Sequence, residues 1–326
     1  MHEYSGISVT PQYDYVFVCG DGGNFWKSAD GGVTWTQITT GISATLQCIW
    51  GTSPTDVYVG CRDKKVYHYD GSSFTEDYEF GISGGIGTIL GVTDINGSDD
   101  GSEIWAILSG YKYTTYNLVT AKKVSGSWSL YNIDLYADFL SGYIGTSSIG
   151  GIGIGDVFAI DANYLASFYA YQCDESDSLA SLSSVPSTNG DCGVRQNSSY
   201  AIAATGGRLP TYEGNGTLIK FDGTTWSYLD TGLSISKIWL GNQLWISPTE
   251  DVWVTGRDYI VYYNGSIEDK ALEGDWKTCH GIDDNKIWFI KWASTSDHLV
   301  KWNGTDFETA TTIASFNLFG LWSIRA

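Results

Sequence analysis

The sequence predicts an all-β chain in which seven four-stranded antiparallel units stand side by side in a closed ring. Three observations carry that reading. An alternating strand recurs seven times, a glycine turn recurs at a matching period, and no stretch has the apolar spacing of a helix. Length alone would divide 326 residues into two domains, but repeat β folds run long as one unit, so 1–326 is read as a single domain.

The template is the stretch 47–75. Ile49-Trp50-Gly51 gives a short apolar strand, Ser53-Pro54 a turn, and Asp56-Val57-Tyr58-Val59 an alternating strand. Val66-Tyr67-His68-Tyr69 alternates again and runs through Asp70-Gly71 into a short strand at Phe74. Such a meander takes about 45 residues, the size of one unit in a stacked β array.

Its second strand recurs at Asp14–Val18, Asp56–Val59, Glu103–Ile107, Asp156–Ile160, Ser199–Ala203, Asp251–Val254 and Lys286–Ile290. In each, β-branched and aromatic residues fall on opposite sides of the pleat. The turn between third and fourth strands reads Asp30-Gly31, Asp70-Gly71, Ser125-Gly126, Asp222-Gly223, Asn264-Gly265 and Asn303-Gly304. A tight hairpin needs positive φ, which Gly and Asn reach at little cost. The gaps are 40, 55, 97, 42 and 39 residues, and the gap of 97 is two units with one turn missing. Both markers therefore count seven.

The first strand reads Leu244-Trp245-Ile246 and, at the end, Leu321-Trp322-Ser323. The copy at 318–324 has no unit behind it, and completing the first unit would close the ring. Ile7-Ser8-Val9-Thr10-Pro11, which aligns with Leu244-Trp245-Ile246-Ser247-Pro248, competes for that place, and the sequence leaves both open. Units three to five are less regular. Gly150–Gly155 feeds a strand and lacks the helix a phosphate loop requires, so it reads as an innermost strand. Residues 172–197 read as a polar insertion, and 206–216 as a longer loop.

A net charge of −19 opposes nucleic acid, whose phosphates would be repelled. No apolar run is long enough to span a membrane, and no signal peptide is visible at the N-terminus. Cys173 and Cys192 flank the polar segment and form one expected disulfide. Cys48 and Cys61 fall opposite each other across a hairpin and form a second, while Cys19 and Cys279 have no evident partner. This usage favours an oxidising location, an extracellular or virion surface.

Ser28-Ala29-Asp30-Gly31-Gly32-Val33-Thr34-Trp35 fits the Asp-box pattern Ser-x-Asp-x-Gly-x-Thr-Trp at each defined position. It resembles the repeats of sialidase-type and related β-propellers, and the whole chain is similar to repeat propellers of bacterial secreted and surface proteins. The resemblance implies a seven-bladed β-propeller in which Ser28, Asp30, Gly32, Thr34 and Trp35 stiffen a hairpin. It implies little about activity.

In such a fold the loops joining second to third strands share one face with those joining fourth to first. Arg62-Asp63, Arg257-Asp258 and Arg208 with Tyr212 and Glu213 occupy that loop in three units, so three of five arginines point to one rim. Together they could clamp a carboxylate; the competing reading is a local Arg–Asp ion pair repeated by ancestry. Sialidases use an arginine triad, and Gly207-Arg208-Leu209-Pro210 resembles their Arg-Ile-Pro signature with Leu for Ile, later in the chain. His2, His68, His280 and His298 lack metal-ligand spacing, no Ser-His-Asp signature is present, and no EF-hand-type loop is found. No cofactor is expected, a structural Ca²⁺ among the acidic turns being the one ion considered. Four of five Asn-x-Ser/Thr triplets, at Asn96, Asn215, Asn264 and Asn303, are Asn-Gly turns.

The expected function is a non-catalytic binding or assembly module for carbohydrate or protein, as a monomer, a homo-oligomer or part of a larger assembly. A virion or tail adaptor and a sialidase-like glycoside hydrolase are the alternatives.

Overall fold

The computed structural model describes residues 12–81, 88–112, 115–133, 148–149, 157–163, 167–173, 179–181, 191–196, 200–206, 216–222, 225–233, 244–256, 260–270, 274–294, 296–308, 311–313 and 317–326. Among these, strands β1 (Asp14–Gly20), β2 (Phe25–Ser28) and β3 (Thr36–Ile38) form the first sheet together with the chain's last strand, β27 (Leu318–Arg325). The second sheet is β4 (Leu46–Ser53), β5 (Asp56–Cys61), β6 (Lys65–Tyr69) and β7 (Phe74–Glu79). The third is β8 (Thr88–Gly97), β9 (Glu103–Lys112), β10 (Thr115–Val124) and β11 (Ser127–Ile133).

The fourth sheet contains β12 (Ser148–Ile149), β13 (Val157–Asn163), β14 (Ser167–Cys173) and β15 (Leu179–Ser181). The fifth contains β16 (Asp191–Gln196), β17 (Ala201–Gly206), β18 (Gly216–Phe221) and β19 (Trp226–Leu233). The sixth has β20 (Leu244–Ile246), β21 (Val252–Thr255), β22 (Ile260–Tyr263) and β23 (Ile267–Lys270). The seventh has β24 (Trp276–Asp283), β25 (Lys286–Lys291) and β26 (His298–Trp302). Isolated bridges from Thr311 to Leu299 and from Phe307 to Trp302 lie along the outer edge of β26.

All strand pairings are antiparallel, as expected of meanders joined by short turns. The seven alternating segments read from the sequence lie at the second strand of the seven sheets. Among the described residues, the turns at Gly31 and Gly71 stand between third and fourth strands with φ of 71° and 94°, and Gly304, also at 94°, follows the third strand of the seventh sheet.

Neighbouring sheets meet through their first strands: β27 touches β4, β4 touches β8, β8 touches β12, β12 touches β16, β16 touches β20, β20 touches β24, and β24 touches β27. A tryptophan on one first strand lies over a glycine on the next. A Cβ on Gly51 would come within 3.2 Å of Trp322, one on Gly97 within 2.5 Å of Trp50, and one on Gly281 within 2.5 Å of Trp245. At Gly97 and Gly281 the indole occupies the side-chain space, whereas at Gly51 the Asp56 carbonyl lies nearer such a Cβ than the indole and crowds it first. At the junction of the seventh and first sheets the pair becomes polar, with His280 Nδ1 2.9 Å from Ser323 Oγ.

Three expectations need revising or completing. Of the two candidates for the missing strand of the first sheet, β27 holds the place, pairing Asp14 with Arg325 and Phe17 with Trp322, while residues 7–10 lie outside the described residues. The stretch expected as a polar insertion, 172–197, contains β15 and β16, an outer and an inner strand of consecutive sheets. Cys48 and Cys61 form no disulfide; both are free and buried, as are Cys19 and Cys279. A bulge sets Leu46 opposite Cys61 and Cys48 opposite Gly60. Cys48 packs with Val92 and Leu108 towards the third sheet, whereas Cys61 packs with Phe17 and Phe25 towards the first. Thiols on opposite faces of one sheet cannot bond. The side chains of Cys173 and Cys192, and the run 150–156, lie outside the described residues.

Candidate functional site

The second-to-third-strand loops and the fourth-to-first-strand loops lie at one end of their sheets, and the described part of that face centres on Arg62–Lys64. The Arg62 amide donates to the Thr45 carbonyl at 2.9 Å, which ties the turn to the start of β4. Lys64 takes φ of 65°, and its carbonyl accepts from the Phe80 amide at 3.0 Å. Gly91 of β8 lets the turn approach, since a Cβ there would come 3.0 Å from the Arg62 Cα.

The Arg62 side chain is exposed and makes no ion pair among the described residues. Asp63 does not pair with it; its Oδ1 is buried without a hydrogen-bond partner. The local Arg–Asp pair considered from the sequence is thus not what holds this turn. Arg208, Tyr212, Glu213, Arg257 and Asp258 lie outside the described residues.

The same end of the seventh sheet carries groups that sequence reasoning missed. Trp292, just past β25, is 46% exposed, an unusual position for tryptophan. At the same end Lys277 Nζ lies 2.6 Å from Asp297 Oδ2 and 5.1 Å from the centre of the Phe319 ring. Asp297 is fully buried and also accepts from the Leu318 amide at 2.7 Å and the Ala293 amide at 3.3 Å. That carboxylate is engaged by its neighbours and acts as a brace between the ends of the seventh and first sheets. No motif announced it, because Lys277 occupies a position held by Gln47 in the second sheet and Phe319 in the first.

The opposite face is built of turns and locks. In the Asp-box, Ser28 Oγ donates to Asp30 Oδ1 at 2.7 Å, Asp30 Oδ1 accepts from the Thr34 amide at 2.8 Å, and the Gly32 amide donates to Ser28 Oγ at 2.8 Å. The Trp35 indole N–H donates to the Gly32 carbonyl at 3.0 Å, and its ring packs with Trp288 of the seventh sheet. Burial alone would raise the Asp30 carboxyl, but hydrogen bonds from Thr34, Ser28 and Val33 outweigh it and hold the group below its ordinary range. In Asp70 the amides and hydroxyls of Ser73 and Ser72 act alike, and its carboxyl is strongly lowered.

The described histidines are each held by a polar neighbour. His68 Nε2 lies 2.7 Å from Asp56 Oδ1, and His298 Nδ1 lies 2.8 Å from Thr312 Oγ1. No group of three or more His, Cys, Asp or Glu among the described residues could hold a metal ion. No described helix is long and apolar enough to cross a membrane.

Solved structures agree on the architecture. A protein from Lactobacillus plantarum superposes with a TM-score of 0.66 at 11% identity, over 96% of this chain and 99% of the other. The WD40 repeats of RRP9 give 0.54 at 10% identity, over 86% and 84% of the two chains. YCF48, solved bound to a D1 peptide, gives 0.52 at 14% identity, over 86% and 85%. The chain has a β-propeller fold. No protein-family model matches the sequence, and no curated protein does. At these identities the likeness carries the fold of the propeller and nothing of its chemistry.

Proposed function

We propose that this propeller is a non-catalytic binding module for a protein or peptide partner, with seven blades closed into a ring by β27. The cyclic order of contacts between first strands supports the ring. A closed ring leaves short, protected sheet edges and a rigid disc whose loop faces are free for recognition.

One observation carries the choice of partner. Among the described residues, the exposed groups of the loop face include a guanidinium, Arg62, and an indole, Trp292. Arg and Trp dominate the energetically important positions of protein interfaces. Arg208 and Arg257, with Tyr212, Glu213 and Asp258, belong to the same rim in this reading and would add carboxylate-binding forks. A propeller of similar fold was solved with a peptide, which makes this mode of use reasonable. The setting we propose is an extracellular or particle surface.

The test is a pair of arrays, one of peptides and one of glycans, probed with the wild-type chain and with Arg62→Ala/Trp292→Ala. Saturable peptide binding, weakened at least about tenfold in the variant, is the expected result. Glycan binding without peptide binding, or turnover of a fluorogenic sialoside, would overturn it.

A further inference from the structure

Three Asn-Gly pairs lie among the described residues, at Asn96-Gly97, Asn264-Gly265 and Asn303-Gly304. We propose that Asn264-Gly265 is a self-modifying site, opened to that chemistry by the shortness of its turn, where the asparagine converts to aspartate and isoaspartate in the folded protein. The Gly265 nitrogen attacks Cγ of Asn264 and gives its proton to solvent base, and ammonia leaves, closing a five-membered imide. Water then opens the imide. Opening at the side-chain carbonyl gives aspartate; opening at the main-chain carbonyl leaves the chain joined through Cγ, as isoaspartate. No enzyme, oxidant or cofactor is needed, and glycine suits the attack because no Cβ shields its nitrogen.

Turn length separates Asn264 from its counterparts. After the third strand of the second, fifth and seventh sheets, the first turn residue donates its amide to a carbonyl three residues on: Asp70 to Ser73, Asp222 to Thr225 and Asn303 to Asp306. In the sixth sheet the Asn264 amide donates to the Ser266 carbonyl at 3.3 Å, one residue nearer. The longer turns bring backbone amides onto the side-chain oxygen. Asp70 Oδ1 accepts from the Ser72 and Ser73 amides, each at 2.8 Å, and Asp222 Oδ1 from the Thr225 amide at 2.8 Å. Asn303 Oδ1 accepts from the Thr305 and Asp306 amides at 3.0 and 2.9 Å. Asn264 Oδ1 accepts from the Ser266 hydroxyl at 3.3 Å, a donor that rotates, and the side chain also reaches the Tyr262 hydroxyl.

Attack on Cγ requires the carboxamide to rotate until its face meets the glycine nitrogen. At Asn303 that rotation breaks two backbone hydrogen bonds; at Asn264 it disturbs contacts with hydroxyls. Cover acts in the same direction. A Cβ built on Gly265 meets nothing within 4 Å, and Asn264, Gly265 and Ser266 are exposed, so base and water reach the turn. At Gly304 the Asn285 carboxamide occupies that position. Gly97 is buried, paired with Ile104, and would set a Cβ 2.5 Å from Trp50.

The two products differ in consequence. Aspartate adds one negative charge and gives the sixth sheet the Asp-Gly turn that the second already has at Asp70. Isoaspartate adds a methylene to the main chain of a short hairpin, which loosens β23, the outer strand of its sheet. The turn lies on the face opposite Arg62 and Trp292, so the modification is independent of the proposed binding loops.

The experiment incubates the full chain at neutral and mildly alkaline pH, in native buffer and in denaturant. Each Asn-Gly peptide is followed by mass spectrometry, with isoaspartate separated from aspartate by chromatography. In native buffer Asn264 should convert at least about tenfold faster than Asn303, the ratio that two backbone hydrogen bonds imply, with Asn96 slowest. Its rate should rise with pH, because the attacking amide must lose its proton. In denaturant the three rates should converge. A serine inserted after Ser266 gives this turn the length of the one at Asp70, and should slow Asn264 about tenfold. A native Asn303 rate equal to or above that of Asn264 overturns the proposal. So does an Asn264 that stays intact in native buffer while it converts in denaturant, or a rate unchanged by the insertion.

Discussion

Two kinds of junction hold neighbouring sheets together, and they differ in chemistry. Where the sixth sheet meets the seventh, Trp245 lies over Gly281 and the contact is apolar. Where the seventh meets the first, His280 meets Ser323, and Asp14 accepts hydrogen bonds from both Lys286 and Arg325 while Arg325 also reaches Asp283. Trp288, fully buried, is covered there by the Asp-box glycines. The polar junction brings Lys286 of the seventh sheet to Asp14 of the first, while Arg325 holds Asp14 within the first sheet and reaches Asp283 of the seventh. Directional groups there fix position as well as adding energy, a use for part-buried polar pairs beyond their modest net contribution.

The comparison can be broken in order of expected effect. Trp288→Ala removes the largest side chain at the polar junction and should cost about 3–5 kcal/mol, read by denaturant unfolding. If the loss is under about 1 kcal/mol, the junction does not rest on the indole. Gly281→Ala strikes the apolar junction and should cost about 1–3 kcal/mol in thermal melting, because the indole of Trp245 cannot retreat from a new methyl. A neutral result would show that the close fit is loose in solution.

Asp14→Asn should cost about 1–2 kcal/mol at neutral pH and low salt, with the deficit reduced in concentrated salt. Burial raises the Asp14 carboxyl, but the hydrogen bonds and charges of Lys286 and Arg325 outweigh it, leaving it below its ordinary value. A lowered carboxyl stabilises the fold above the unfolded value, about 3.9, and loses that contribution as pH falls through the folded one. The gap between wild type and Asp14→Asn should therefore be constant above about pH 5 and close in stronger acid. A gap that widens on acidification contradicts the assignment.

Ser323→Ala is the smallest perturbation, about 1 kcal/mol for one hydrogen bond to His280. Thiol labelling refines the picture without a stability change. Burial pushes the Cys19 thiol up to about 12 and the Cys48 and Cys61 thiols strongly up as well. Native protein should leave these unlabelled by a thiol reagent at neutral pH, and unfolding without reductant should release them as free thiols. A Cys48–Cys61 disulfide would withhold two.

Much of the fold was legible because a repeat writes the same local rule many times. The alternating strands at Asp56, Asp251 and Lys286 and the turns at Asp70 and Asn303 each follow from pleat and hairpin geometry alone. The Asp-box bonding around Asp30 was legible for the same reason, since its donors and acceptors lie within a few residues. Arg62 was found at its loop by position in the repeat, yet its lack of an ion pair to Asp63 was not readable. Trp292 and Asp297 gave no signal, for a tryptophan or aspartate between strands is ordinary until its burial is known. The paired cysteines misled because alignment across a hairpin ignores a one-residue bulge, and that shift turned Cys48 and Cys61 to opposite faces.

Sequence alone determined the all-β character, the period of the units and the chemistry of their turns, since these depend on neighbours along the chain. Tertiary structure alone decided that β27 completes the first sheet, which side each thiol takes, and which tryptophan lies over which glycine. Those are contests between segments equally suited by local pattern, and they are won by packing and charge contributed from distant parts of the chain.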